Sequence, residues 1–232
     1  MSYFVTGTDT NVGKTLISCA LLHGFAVQGK KAVGMKPVAA GVGEDGMHED
    51  VRMMRAAGNV TASLEQVNPY CFAAGIAPHL AAQSKGVIID LERIVVSYAG
   101  LAAQADEVIV EGVGGFMVPL NGEQNSADLA ARLALPLIMV VGMRLGCLNH
   151  ALLTIEAIAA RGLTLAGWVA NVLDENMPMR AENIKALQQR IGAPLLGVVP
   201  YQQQPDAREV AGCLNLKFLS NSKSLEKARA HD

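Results

Sequence analysis

The segment FVTGTDTNVGKTLISCALL, residues 4–22, constrains this chain more than any other stretch. An apolar, strand-like run enters a turn holding Gly7 and Gly13, then Lys14 and Thr15, and leaves it with a helical period. A bound phosphate needs backbone N–H donors with no side chain in the way, a cation, and a helix N-terminus. Gly13 permits close approach, Lys14 supplies the charge, and Thr15 can place a hydroxyl on a magnesium ion. The usual spacing G-x-x-x-x-G-K-[ST] would put Gly at position 8, where this chain has Thr8, so the loop reads G-x5-G-K-T. A G-K-T tripeptide set between an apolar strand and an amphipathic helix predicts a phosphate loop rather than an ordinary glycine turn.

The rest of the chain repeats the strand-then-helix pattern of a parallel α/β sheet. Strands are expected at 2–6, 31–36, 107–112, 135–142, 163–171 and 194–200, each an almost unbroken apolar run. Such runs mark strands buried on both faces, so helices should flank the sheet on both sides. Helices are expected at 15–29, near 51–57, at 91–105 behind an Asp90 cap, and around 127–134, 148–161 and 178–191. A loop is expected over 39–50. No repeat or linker interrupts the pattern, which predicts one domain over 1–232 with a polar tail at 220–232.

Composition removes several alternatives. With 51% hydrophobic and 17% charged residues the chain can bury a core and is not disordered. Nineteen basic and 21 acidic side chains leave a net charge of −2, so no global field draws it to nucleic acid or an anionic membrane. The longest strongly apolar run, Leu135 to Met143, contains Pro136 and falls well short of the roughly 20 residues of a spanning helix. The start MSYFVTG lacks the basic region of an export signal, and the four cysteines form no C-x-x-C pair. A cytoplasmic protein with reduced thiols is expected, with neither nucleic-acid nor membrane partners.

Three further side chains invite chemistry. Glu111 ends an apolar strand, and the carboxyl edge of a parallel sheet is where ligands collect. It could assist Thr15 in holding magnesium, which prefers hard oxygen ligands, or it could be structural. Asp50 lies in the acid-rich stretch EDGMHED, by charge pattern as readily a solvated loop as a ligand. Lys36 ends the second strand before Pro37, and local sequence leaves a snorkelling surface lysine open. The guanine-reading N-K-x-D signature is absent, because Asn171, Val172, Leu173 and Asp174 lack its lysine. The early lysine of partitioning-type ATPases is also missing, since Gly7, Thr8 and Asp9 stand there. No two of the five histidines have metal-ligand spacing, and neither a G-x-S-x-G nor a catalytic Cys/His signature is present. What remains is phosphate chemistry.

Together these residues resemble the dethiobiotin synthetase family, in order and over nearly the whole chain. The resemblance rests on FVTGTDTNVGKT, MKPVAAG at 35–41, VNPYCF at 67–72, VEGVGG at 110–115, LPLIMVVGMRLGCLNHALLT at 135–154, GWVAN at 167–171 and APLLGVVPY at 193–201. It implies an ATP-dependent cyclo-ligase with Mg2+ that closes the ureido ring of dethiobiotin from 7,8-diaminopelargonate and CO2 or bicarbonate. It implies catalytic roles for Lys14, Lys36 and Thr10, and magnesium ligation by Thr15, Asp50 and Glu111. Nucleotide contacts would come from Asn11, Val12, Gly13, Lys14, Thr15, Leu16, Asp50, Glu111, Gly112, Val113 and Gly114. Asn171 would read adenine, with Val172, Pro200, Tyr201 and Gln202 around the base. Substrate would meet Lys36, Ala40, and Leu148 and Asn149, the last two reaching across a homodimer interface.

Two positions depart from the family pattern. Ala40 replaces a common Ser or Thr, removing a hydroxyl donor, and Asn11 stands where Glu is frequent. Ala40 supports one alternative, a related P-loop ligase acting on another diamine; a second, a nucleotide switch that binds a partner protein, is opposed by the missing early lysine and by the segment G-C-L-N-H.

Overall fold

The computed structural model describes residues 2–42 and 46–220. In chain order the elements are β1 (Ser2–Gly7), α1 (Lys14–Val27), β2 (Ala32–Met35), β3 (Val38–Ala40), α2 (Glu49–Ala57), α3 (Leu64–Val67), β4 (Tyr70–Phe72), α4 (Pro78–Gln83) and α5 (Leu91–Ala102). There follow β5 (Glu107–Glu111), α6 (Ser126–Leu133), β6 (Leu137–Met143), α7 (Cys147–Ala160), β7 (Leu165–Val172), α8 (Arg180–Gln188), β8 (Leu195–Val199), α9 (Ala207–Ala211) and α10 (Lys217–Ser220). All six expected strands form, within two residues of their predicted ends, and make one sheet in the order β2-β5-β1-β6-β7-β8. Every pairing in it is parallel.

Alternation along each strand builds a core on either side. Phe4, Val33, Met35, Val108 and Val110 pack with Leu91, Ile94 and Leu101 of α5 and Leu129 of α6. Tyr3, Val5, Ile109 and Val140 point the other way, onto Ile17, Leu21 and Phe25 of α1. Further along that sheet, Met139, Val141 and Trp168 pack with Cys147 and Ala151 of α7 and Leu187 of α8. Helices therefore cover both faces, as unbroken apolar strands require. Asp90 caps α5 by accepting from the Glu92 N–H, and Asn125 and Asp128 close a capping box on α6.

The expected loop over 39–50 begins differently. Val38–Ala40 is a strand, parallel to Tyr70–Phe72, in a second sheet of two three-residue strands. Neither run is long enough to show a period, so pattern alone could not find them. Asn68, buried between them, donates from Nδ2 to the Lys36 carbonyl at 2.6 Å and the Tyr70 carbonyl at 3.0 Å. The small sheet is thereby tied to the end of β2. Among the described residues no helix is long and apolar enough to cross a membrane, and all four cysteines are free. The expected polar tail, beyond residue 220, lies outside the described residues.

Candidate functional site

Register brings the site together. Met35 pairs with Val110 and Val5 pairs with Glu111, so the carboxyl ends of β2, β5 and β1 stop side by side. Lys36, Glu111 and the loop from Gly7 to Gly13 leave the sheet at one edge, where α1 starts. They border a cavity of about 470 Å³ whose lining includes Thr10, Asn11, Gly13, Lys14, Thr15 and Asp50. Ala39, Ala40, His48, Val113 and Gly114 complete its wall.

The loop is held from inside. Lys14 Nζ donates to the Asp9 carbonyl at 3.1 Å, and the Asp9 carboxylate accepts from the Thr10 N–H and from Arg144, the latter at 2.5 Å. Asn11 has φ 58°, a left-handed conformation that asparagine tolerates better than the glutamate frequent at this position. Gly13 has φ 93°, and a Cβ there would lie 2.2 Å from Asn171 Nδ2, so no other residue fits. Burial, and then the charge of Lys36, push the Lys14 ammonium down to about 8.

Lys36 is a buried residue, 4% exposed, and not the snorkelling lysine its local sequence allowed. Its Nζ lies 2.5 Å from Glu111 Oε1 and 2.8 Å from Asp50 Oδ2, with the Gly112 carbonyl at 3.4 Å. Burial alone would lower its pKa, but the two carboxylates outweigh that, and the net direction is up. The same pairing holds Asp50 below the usual carboxylate range despite desolvation.

The Thr15 hydroxyl donates to Glu111 Oε1 at 2.9 Å and lies within hydrogen-bonding reach of Asp50. Glu111 Oε2 is buried without a partner, an arrangement costly enough to mark a missing ligand. Two carboxylates and a hydroxyl are hard oxygens, and magnesium is commonly held by one or two carboxylates with water completing its shell. The residues fit such an ion, which would supply positive charge against bound phosphate. Among the described residues no group of three or more His, Cys, Asp or Glu offers a different metal site.

A smaller cavity, about 100 Å³, opens on the other side of the loop and is lined by Leu16, Asn171, Val172, Leu173, Pro200, Tyr201, Gln202 and Pro205. The expected base-pocket residues thus meet, and Leu16 faces this cavity rather than the larger one. Val12 lines neither: it is buried, and its carbonyl accepts from Asn171 Nδ2 at 2.9 Å. Gly112 also lies behind the wall, contributing its carbonyl to Lys36. Leu148 and Asn149 line neither cavity and sit at the start of α7, Asn149 exposed.

His48, Asp9, Arg144 and Asn68 had no predicted role. His48 caps α2, its Nδ1 accepting the Asp50 N–H at 3.1 Å, and so sets the direction from which Asp50 enters the site. A cap signal immediately ahead of Glu49 and Asp50 was available in the sequence, although histidine is an uncommon choice for it. The Asp9–Arg144 pair spans 135 residues and left no local trace.

A parallel sheet whose central strand runs through G-x5-G-K-T into a helix, with a carboxylate at the end of the neighbouring strand, defines a P-loop nucleotide-binding protein. The family described as an AAA domain matches residues 1–209. Among solved structures, the septum site-determining protein MinD complexed with Mg-ADP from Pyrococcus horikoshii superposes with a TM-score of 0.53 at 18% identity, covering 96% of this chain and 91% of that one. That likeness is one of fold. The ATP-dependent dethiobiotin synthetases of Aromatoleum aromaticum and Nitrosospira multiformis are each 54% identical, over 93% and 95% of this chain and 97% of each relative. The chain belongs to the dethiobiotin synthetase family.

Proposed function

We propose that this chain is the ATP-dependent ligase that closes the ureido ring of dethiobiotin, using 7,8-diaminopelargonate, CO2 and Mg-ATP in the cytoplasm. The observation that carries the site assignment is the convergence of Lys36, Asp50, Glu111 and Thr15 beside Lys14, all on one cavity. One substrate amine takes up CO2 to give a carbamate, whose oxygen attacks the γ-phosphate of ATP. ADP leaves, and a carbamic–phosphoric anhydride remains. The second amine attacks its carbonyl carbon, closing the ring and expelling phosphate.

Most of the work is positioning and charge stabilisation. Lys14 neutralises phosphate oxygens at the helix N-terminus, while Lys36 stabilises the carbamate and the phosphoryl group it attacks. Thr10, which lines the same cavity as Ala40, borders the carbamate. Thr15, Asp50 and Glu111 would hold magnesium, which would supply positive charge to the phosphates. Val113 and Gly114 lie against nucleotide or substrate, and Asn171 reads the adenine edge between Leu16 and Tyr201. With Ala40 in the wall, any substrate contact there comes from backbone.

The substrate carboxylate is held by Leu148 and Asn149 of a second copy in a homodimer. Leu145 and Leu153, 97% and 61% exposed around the same stretch, favour a covered surface. The whole of 1–232 acts as one domain. Incubation with 7,8-diaminopelargonate, bicarbonate and Mg-ATP, followed by mass detection of dethiobiotin, tests the activity. ATP hydrolysis independent of diamine would support a switch instead, and turnover of only another diamine would support the related ligase.

A further inference from the structure

Asn171 lines the smaller cavity and reaches the phosphate loop that borders the larger one. It lies one residue before the end of β7, 4% exposed, opposite Gly142 on β6 and Val199 on β8, and forms part of the smaller cavity's wall. Its side chain also crosses to the phosphate loop, where Nδ2 donates to the Val12 carbonyl at 2.9 Å. Only the amide nitrogen can serve there, because a carbonyl accepts and cannot donate. The same nitrogen sits where a Gly13 Cβ would be, 2.2 Å from that position. Val12 lies between two residues in left-handed conformation, Asn11 at φ 58° and Gly13 at φ 93°. A loop bent twice in this way has strained alternatives close by in conformation, and it needs an external hold.

We propose that Asn171 is a positioning residue for the phosphate loop, coupling occupancy of the base cavity to the geometry of the phosphate site. This rests on the nucleotide reading of the two cavities. The Val12–Gly13 peptide is planar and trans, so its carbonyl and the Gly13 N–H point in opposite directions. Holding the Val12 oxygen toward β7 therefore fixes the edge from which the Gly13 N–H projects. One Nδ2 proton is used on Val12. The other, together with Oδ1, remains for a base that presents an acceptor beside a donor, as adenine does. Such a base restrains the rotation of the carboxamide, and the restrained carboxamide restrains the loop. A base with a different edge leaves it free to turn away from Val12. The right base then improves turnover at saturation as well as affinity, because the phosphate donors are set before the reaction begins.

The test uses the full-length enzyme and Asn171→Ala, with two readouts. The first is amide hydrogen exchange of the nucleotide-free protein. Loss of one buried hydrogen bond should speed exchange in the peptide covering residues 9–15 by about fivefold or more, with the remaining sheet unchanged. The second is steady-state kinetics with Mg-ATP and with the magnesium complex of purine riboside triphosphate, whose base keeps the ring acceptors of adenine and lacks its amino donor. The parent should show a higher kcat with ATP than with purine riboside triphosphate. The variant should lose about tenfold in kcat with ATP and no longer distinguish the two. Unchanged exchange, or a variant whose only defect is an ATP KM raised to the value for purine riboside triphosphate, would overturn the coupling and leave Asn171 a reader of the base alone. Faster loop exchange in a protein whose parent treats the two nucleotides alike would overturn the adenine assignment of the smaller cavity, while keeping Asn171 as the support of the loop. Global loosening across β7 and β6 would show a folding defect and count against a specific role.

Discussion

Lys36 Nζ lies 2.5 Å from Glu111 Oε1, where the two side chains are 5% and 0% exposed. They come from neighbouring strands separated by 75 residues, and parallel register alone sets them abreast. An ammonium buried between Glu111 and Asp50 serves both charge balance and, on the proposed reading, transfer of the phosphoryl group.

That dual position separates the two lysines. Lys14→Ala and Lys36→Ala should each reduce turnover by about 100-fold or more, since loss of one such stabilising charge costs ~3 kcal/mol of barrier. Lys36→Ala should also lower the melting temperature, because it leaves buried carboxylates without their cation. Added magnesium should recover part of that loss. Calorimetry with and without magnesium, beside a turnover assay, checks both. An unshifted melting temperature would mean that the pair contributes no net stability.

Glu111→Gln keeps the shape of the side chain and removes its charge. The partnerless Oε2 is the atom expected on the metal, so the magnesium concentration giving half-maximal activity should rise about tenfold or more. Superimposable magnesium titrations for parent and variant would make Glu111 a structural acid.

Lys14 predicts a pH dependence. Its folded value of about 8 lies below the ordinary 10.5, so above about pH 8 the nucleotide-free protein carries a neutral amine there. Phosphate favours the ammonium, and binding at higher pH must take up a proton. Affinity for Mg-ATP should therefore fall as pH rises through about 8, with proton uptake visible by calorimetry in buffers of different ionisation enthalpy. The stability effect has its own sign. The burial penalty is complete below about pH 8 and is relieved as pH rises toward 10.5, because the unfolded chain binds the extra proton in that interval.

His48 is testable through its cap. His48→Ala should cost about 1 kcal/mol of stability by freeing the first N–H groups of α2, and His48→Asn, a better cap, should restore it. If the cap orients Asp50, the alanine variant should also need more magnesium, and the asparagine variant should not. Equal magnesium dependence in all three proteins would limit His48 to stability.

Asn149→Ala should raise the KM for the diamine with little change in ATP binding. Mixed with Lys14→Ala, it should regain activity above either variant alone, because one of the two sites in each heterodimer is then intact. Sedimentation as a monomer at assay concentration, or mixtures that never exceed their parents, would rule out the shared site.

Sequence by itself determined everything that contiguous residues encode. The phosphate loop is one uninterrupted segment in which turn, cation, hydroxyl and helix start must be adjacent, so its chemistry was readable before its shape. The six long strands declared themselves by apolar runs, and Asp90 and the α5 pattern fixed a cap and a helix. The family motifs named Lys36, Asp50, Glu111 and Asn171 without saying how they touch.

The tertiary structure alone decided the contacts among them. Lys36 looked as much like a surface lysine as a buried one, because Asp50 and Glu111 are brought to it by strand order rather than by proximity in the chain. Asn171 and Val12 are 159 residues apart, and Asp9 and Arg144 are 135 apart. The pairs β3 and β4 are too short to carry a period. Six similarly apolar strands could be laid side by side in many orders, with nearly the same burial for each. Only the packing of α1 and α2 on one face and α5 to α8 on the other selects β2-β5-β1-β6-β7-β8. That order places a lysine, two carboxylates and an asparagine around one loop.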